Sequence, residues 1–319
     1  MKQLEQQSLE ETVIQSSPDF IEGNTIPVTV EEIKTGHIIP VFTRNNEPLI
    51  NHTDFIEGIQ ESVKQVFPNE IVLAPMVKVS HPIKGRIPEA KNKLAIALQE
   101  HEKTLYYERM MFTIEIPSIR QSINGSELSL TVGGIKAFNL DNVYSRRAEQ
   151  SFKVFIGFKN FVCTNLCISN DGVKSDLFAS TINEVISGAI RLFKSYQVEK
   201  HLSLLQEMNG FQINESQLAQ LLGKARLYQY LPKELKKQVT ELKLNDSQLS
   251  QVANGYYNDP NFCKDIAGNI SLWKVYNLFS GANKSSYIDS FIDRGVNSHS
   301  FIQELTEAIK TKDSNWFLN

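Results

Sequence analysis

Asn124-Gly125, set between two runs of β-forming residues, constrains this chain more than any other feature. Asn-Gly supplies the two left-handed positions of a tight hairpin turn. The run after it, Glu127-Leu128-Ser129-Leu130-Thr131-Val132, alternates polar and apolar with period two, as a strand with one buried face does. The run before it, Leu105 to Ile116, consists of β-formers throughout. Gly133-Gly134 then marks a bulge or a close backbone approach. A third strand is read from Ser151 to Leu166, with Phe152, Val154, Ile156 and Phe158 on one face and Lys153, Phe155, Gly157 and Lys159 on the other. Residues 105–168 are therefore expected to form one antiparallel sheet, with a second hairpin turn between Asp141 and Arg147.

Residues 1–30 are polar and acidic and read as a disordered tail. A short strand is expected at His37–Phe42, turn chemistry at Asn45–Pro48, and a helix capped by Thr53 or Asp54, with Phe55, Ile56, Ile59, Val63 and Val66 at helical spacing. Ile71–Val79 reads as a strand whose Pro75 suits an edge. Ser80–Pro88 reads as a loop held open by two prolines and a glycine, and Glu89–Gln99 as a short helix. From Phe178 the pattern turns helical: Phe178–Tyr196 is one long helix, and further helices begin near Ser216, Ser247, Leu272 and residue 300. Strands followed by helices indicate an α+β fold, here a hairpin-rich antiparallel sheet backed by a long helix and followed by a C-terminal helical region. The expected units are the tail 1–30, a sheet domain 31–175 and a helical region 176–319 packed on the sheet.

Chain length, 319 residues, suffices for a sizeable core. No apolar run approaches the ~18 residues of a membrane helix, the N-terminus lacks a signal-peptide pattern, and three cysteines make no disulfide framework. A cytoplasmic protein with no membrane partner is the expectation. The net charge of −3 hides an asymmetry. Residues 1–70 carry 4 basic and 12 acidic side chains, whereas residues 71–160 carry 13 basic and 8 acidic. Such a basic segment can mark a site for an anionic partner.

Candidate chemistry concentrates there. His81, Lys84 and Arg86 share the Pro/Gly loop beside Lys78, a geometry suited to phosphates. Tyr106 and Tyr144 lie among Arg109, Lys136, Arg146 and Arg147, and aromatics interleaved with bases are how single strands are stacked and tracked. Asn283, Lys284 and Ser285 form a candidate anion site, although the frame of a phosphate-binding NTPase loop is absent. Cys163 and Cys167 lack the four-ligand spacing of zinc and are expected as buried, metal-free thiols. A nucleophilic Cys163 with His81 as base is the enzymatic alternative, and no established catalytic motif occurs. No catalytic residue, metal or cofactor is assigned.

Several blocks resemble a family of unknown function, numbered 3871, found in Bacteroidetes. They are His81–Ala90, Tyr106–Met110, Gly133–Lys136, Phe155–Phe158, Val162–Cys167 and Gly281–Asp289. The resemblance brings no established activity. The Cys-Thr-Asn block, together with Trp273, Tyr276 and Asn277, is also distantly similar to a phage- and plasmid-like family numbered 932, which implies a mobile genetic element and DNA as partner. The expected function is that of a non-enzymatic protein binding single-stranded nucleic acid, single-stranded DNA first, in replication or recombination of such an element, as a candidate homo-oligomer. The alternatives are an enzyme with a small-molecule or nucleotide pocket using His81, Cys163 or Asp289, and a protein that binds a host protein through its helical half.

Overall fold

A computed structural model describes residues 19–37, 49–140 and 149–318. In chain order the elements are β1 (Ile26–Val28), α1 (Val30–Gly36), α2 (His52–Val66), β2 (Met76–Val79), β3 (Ile83–Arg86), β4 (Lys103–Tyr106), β5 (Arg109–Ile123), β6 (Ser126–Ala137), β7 (Gln150–Asn160), β8 (Leu166–Cys167) and β9 (Val173–Ala179). The helical half follows with α3 (Ile182–Ser195), α4 (Val198–Gly210), β10 (Gln212–Asn214), α5 (Glu215–Tyr230), α6 (Lys233–Lys236), α7 (Asp246–Asn258), β11 (Asn269–Ser271), α8 (Leu272–Asn283) and α9 (Ile288–Thr311). The fold is α+β, as the order of patterns implies.

The sheet runs β1-β2-β5-β6-β7-β8, with β9 also paired to β7, and every pairing in it is antiparallel. The β5–β6 hairpin closes at Asn124 and Gly125, whose φ angles of 48° and 77° are the left-handed values that Asn-Gly tolerates. The second expected hairpin turn, between Asp141 and Arg147, lies outside the described residues, as does most of the expected strand at 37–42.

Alternation sorts β7 as its sequence indicates. Phe152, Val154, Ile156 and Phe158 join the main core, while Phe155 joins a second cluster across the sheet. On the first face α2 packs through Phe55, whose ring lies 4.9 Å from Phe152 and 5.4 Å from Phe112, centroid to centroid. A Cβ at Gly134 would sit 2.4 Å from the Phe55 ring, and one at Gly133 would sit 2.1 Å from the Phe112 carbonyl oxygen. The Gly-Gly pair is thus the close approach its sequence suggests, and it admits the α2 aromatic.

The second face is covered too. Met111, Ile135 and Phe155 meet Ile288, Phe291 and Ile292 of α9 and, unexpectedly, Phe20 and Ile21. Residues 19–30 are therefore no disordered tail. Phe20 and Ile21 are buried, the Glu22 and Gly23 amides donate to the Lys284 carbonyl at 2.8 and 2.9 Å, and β1 pairs with β2. The acidic composition hid two apolar residues sufficient to anchor a strap.

Other boundaries move for local reasons. Asn51, not Thr53 or Asp54, caps α2. Phe178 and Ala179 end β9 (Val173–Ala179) rather than starting the helix, and Thr181 with Glu184 makes the capping box that opens α3. Ser80–Pro88 is not an open loop, because Ile83–Arg86 pairs with Lys103–Tyr106 as a separate two-stranded ribbon. Glu89–Gln99 holds short 3-10 turns instead of one helix. Cys163 and Cys167 do not share a strand: Thr164, at φ 56°, turns the chain between them.

Candidate nucleic-acid interface

The residues singled out for nucleic acid do not form one surface. Lys78 is buried between Val77 and Val79 on β2 and forms an ion pair with Asp19 of the strap. Lys136 is fully buried on β6, with its ammonium 4.3 Å from the centre of the Phe152 ring and 5.3 Å from that of Phe138. Both sit at inward register positions, so neither can reach an external phosphate. Arg109 is held by Glu108 and Asp289, each at 3.5 Å, which also commits Asp289. Arg146, Arg147 and Tyr144 lie outside the described residues. With both sheet faces covered, the sheet itself offers no open platform for stacked bases.

The anion site at the α8–α9 turn is likewise occupied by the chain. Asn283 donates to the Phe291 carbonyl and accepts from Ser286, and Ser285 donates to the Ala282 carbonyl. The buried Lys284 ammonium donates to the Cys163 carbonyl and, at 2.9 Å, to the Thr164 hydroxyl. These are the bonds of a tight interhelical turn.

The ribbon remains. Its register pairs Ile83 with Tyr106, Lys84 with Leu105, Gly85 with Thr104 and Arg86 with Lys103. Cross-strand partners point to one side and neighbours alternate. Lys84, Arg86, Lys103 and Leu105 therefore share one face, while Ile83, Gly85, Thr104 and Tyr106 share the other. Lys84, Lys103 and Leu105 are exposed and Arg86 is half-buried, so the cationic face looks to solvent. Thr104 is buried, which turns the Tyr106 face inward. Tyr106 thus does not stack beside the cations as expected. His81, also exposed, precedes the ribbon.

Local contacts hold the ribbon's connection in place. The Arg86 guanidinium donates to the Lys93 carbonyl, and Lys93 forms an ion pair with the buried Glu102. Lys103 pairs with the exposed Glu100, a weak, solvent-screened contact that an incoming phosphate can replace. Lys103 escaped sequence reading because its place beside Arg86 depends on a strand pairing across sixteen intervening residues.

The sequence model of DUF3871, described as a domain of unknown function from a B. Theta gene, matches residues 5–318. The chain belongs to this family. No curated protein and no solved structure matches it.

Nothing in this DUF3871 chain joins Cys163 to His81: among the described residues they share no hydrogen bond or ring contact. Burial pushes the Cys163 thiol up to about 11, against the thiolate that nucleophilic chemistry needs. Cys167 is fully buried and its thiol is pushed up further by the same cause. Thiol labelling at pH 7.5 is accordingly expected to be slow at both and fastest at Cys263; rapid modification of Cys163 would restore the nucleophile reading. Among the described residues no group of three or more His, Cys, Asp or Glu side chains is placed to hold a metal, and no helix is long and apolar enough to cross a membrane.

Proposed function

We propose that this protein binds single-stranded nucleic acid without catalysis, holding the phosphate backbone along the β3–β4 ribbon. The observation that carries this reading is the shared solvent face of Lys84, Arg86 and Lys103. Two-stranded ribbons are an established way to present cations to a nucleic acid, and contacts to phosphate are indifferent to base sequence. Leu105 between the cations gives a base an apolar surface to rest on. We propose DNA of a phage- or plasmid-like element as the setting, on the distant resemblance carried by the Cys163–Cys167 block with Trp273, Tyr276 and Asn277. Three free thiols suit a reducing, cytoplasmic compartment.

The test is a salt titration of a fluorescent oligonucleotide. Lys84→Gln/Lys103→Gln removes two cations and leaves the Arg86–Lys93 contact intact. Each phosphate contact on a single strand contributes about 0.7 to the log–log salt slope, so the slope should flatten by about 1.4. By the same relation affinity at 0.1 M salt should fall roughly 25-fold. The melting temperature should hold, since exposed charges shift stability by under ~0.5 kcal/mol. An unchanged slope in the folded double variant removes the ribbon from the interface and ends this reading.

A further inference from the structure

Between α7, α8 and the 163–165 turn lies a cleft of about 390 Å³ that the ribbon does not involve. Its lining is dominated by carboxamides. Asn165 and Asn277, both buried, form the floor, and Gln251, Asn254 and Asn258 line the α7 wall at helical spacing. Apolar contact surface comes from Pro260, Phe262 and Leu278.

The floor carries an unmet demand. Asn165 is 2% exposed; its Nδ2 donates to the Asn277 carbonyl at 2.9 Å, which fixes the amide's orientation. Its Oδ1 then has no hydrogen-bond partner among the described residues. The Asn277 amide is tied to the Trp273 carbonyl through Nδ2, and among the described residues its Oδ1 receives only the Cys163 thiol at 4.0 Å. A buried acceptor without a donor is costly, so these two under-used carbonyl oxygens, on residues that line the cleft, point to a ligand that donates to them.

We propose that this cleft binds a nucleobase, with its N–H edge on the Asn165 and Asn277 oxygens and its faces against Leu278, Phe262 and Pro260. Carboxamides both donate and accept in one plane, which matches the mixed edge of a base. The two charged side chains that also line the cleft are committed within the chain, Asp259 to the Asn261 and Phe262 amides and Lys284 to Cys163 and Thr164, and the volume lies at the small end of ligand pockets, right for one base with its sugar. The base can come from a free nucleoside or from a strand, and the experiment separates the two.

Gly281 supplies the blocking variant. A Cβ there would meet nothing nearer than the Asn165 amide at 3.7 Å, so Gly281→Leu is accommodated by the α8 backbone and fills the cleft. Binding of adenosine, cytidine, guanosine and uridine, with glucose as a comparison, is measured by ligand-observed NMR on the full chain; an octanucleotide is measured by anisotropy. Saturable binding of at least one nucleoside, weakened tenfold or more in a folded Gly281→Leu variant and unaffected in Lys84→Gln/Lys103→Gln, is expected. Gly281-dependent binding confined to the octanucleotide also supports the site and makes a strand the source. No Gly281-dependent binding of any base, or binding of glucose in preference to every nucleoside, overturns the proposal. Loss of the ribbon's salt slope alone leaves this result intact, so the two readings fail separately.

Discussion

Between pH 7 and pH 5 the protein is expected to lose folding free energy, about 2 kcal/mol of it at His299 alone. Three of its six histidines, His52, His201 and His299, are at most 1% exposed. Burial holds their imidazoles well below the ordinary value, to about 4 at His299. His201 and His299 also face each other at 5.0 Å, so protonating one opposes protonating the other. His52 stacks at 4.5 Å on His37, itself brought down to about 4 by burial. A histidine whose pKa is lowered in the folded state is neutral there while the unfolded chain takes up protons below about 6.5. Stability from each is therefore complete above that value and is lost as pH falls toward the folded value. At pH 5 the loss is about 2 kcal/mol at His299, and His52 and His201 add to it in the same direction. Whole domains are stable by only about 5–15 kcal/mol, so acid unfolding should set in near pH 5.

His299 isolates the effect. Neither of its ring nitrogens has a hydrogen-bond partner among the described residues, so His299→Leu gives up no bond. Urea unfolding at pH 7 should be little changed or strengthened, and the pH 7-to-5 loss should shrink by about 2 kcal/mol. Equal stability at both pH values in the parent protein would mean that these imidazoles are not buried as described.

The second large effect concerns the seat of α2 on the sheet. Phe55→Ala should cost about 3–5 kcal/mol, because it empties a fully buried aromatic site between Phe112 and Phe152. Gly134→Ala alone should cost about 1–3 kcal/mol by driving a methyl into the Phe55 ring. Combined with Phe55→Ala, most of that second penalty should vanish, leaving the tight 3.2 Å approach to the Lys153 carbonyl. A coupling of about 1–2 kcal/mol in the double-mutant cycle is expected. Strict additivity would show that the glycine is not there to admit the ring.

The sheet was legible in the sequence because hairpin chemistry and period-two alternation are local. Asn124-Gly125, the Phe152–Phe158 face and the Gly133-Gly134 approach all appear where the residues place them. Burial on both faces was not legible, because it depends on which helix returns to which side. Lys78 and Lys136 illustrate the cost of that gap. Alternation turns Lys78 away from Val77 and Val79, yet Asp19 of the strap covers it there; alternation puts Lys136 on the Leu128–Val132 face, where Phe152 buries a side chain whose charge alone reads as outward. The interface suffered for the same reason. Lys84 and Arg86 were visible as neighbours, but Lys103 joins them only through a register that no short-range pattern encodes. Asn165 and Asn277 carry no spacing signal at all; only the carboxamides at 251, 254 and 258 hint at a common helix face.

The strap has a further consequence for biosynthesis. Phe20 and Ile21 are made well before the residues they rest against, Ile288, Phe291 and Ile292, about 270 positions later. At ~5–20 residues per second, the ribosome needs roughly 14–54 s to deliver that partner. During this interval β5, β6 and β7 can pair, but Met111, Ile135 and Phe155 have nothing to cover them from the α9 side. A nascent chain stalled within the helical half would carry a completed sheet with one greasy face. That intermediate is a natural client for a chaperone and, without one, a seed for aggregation.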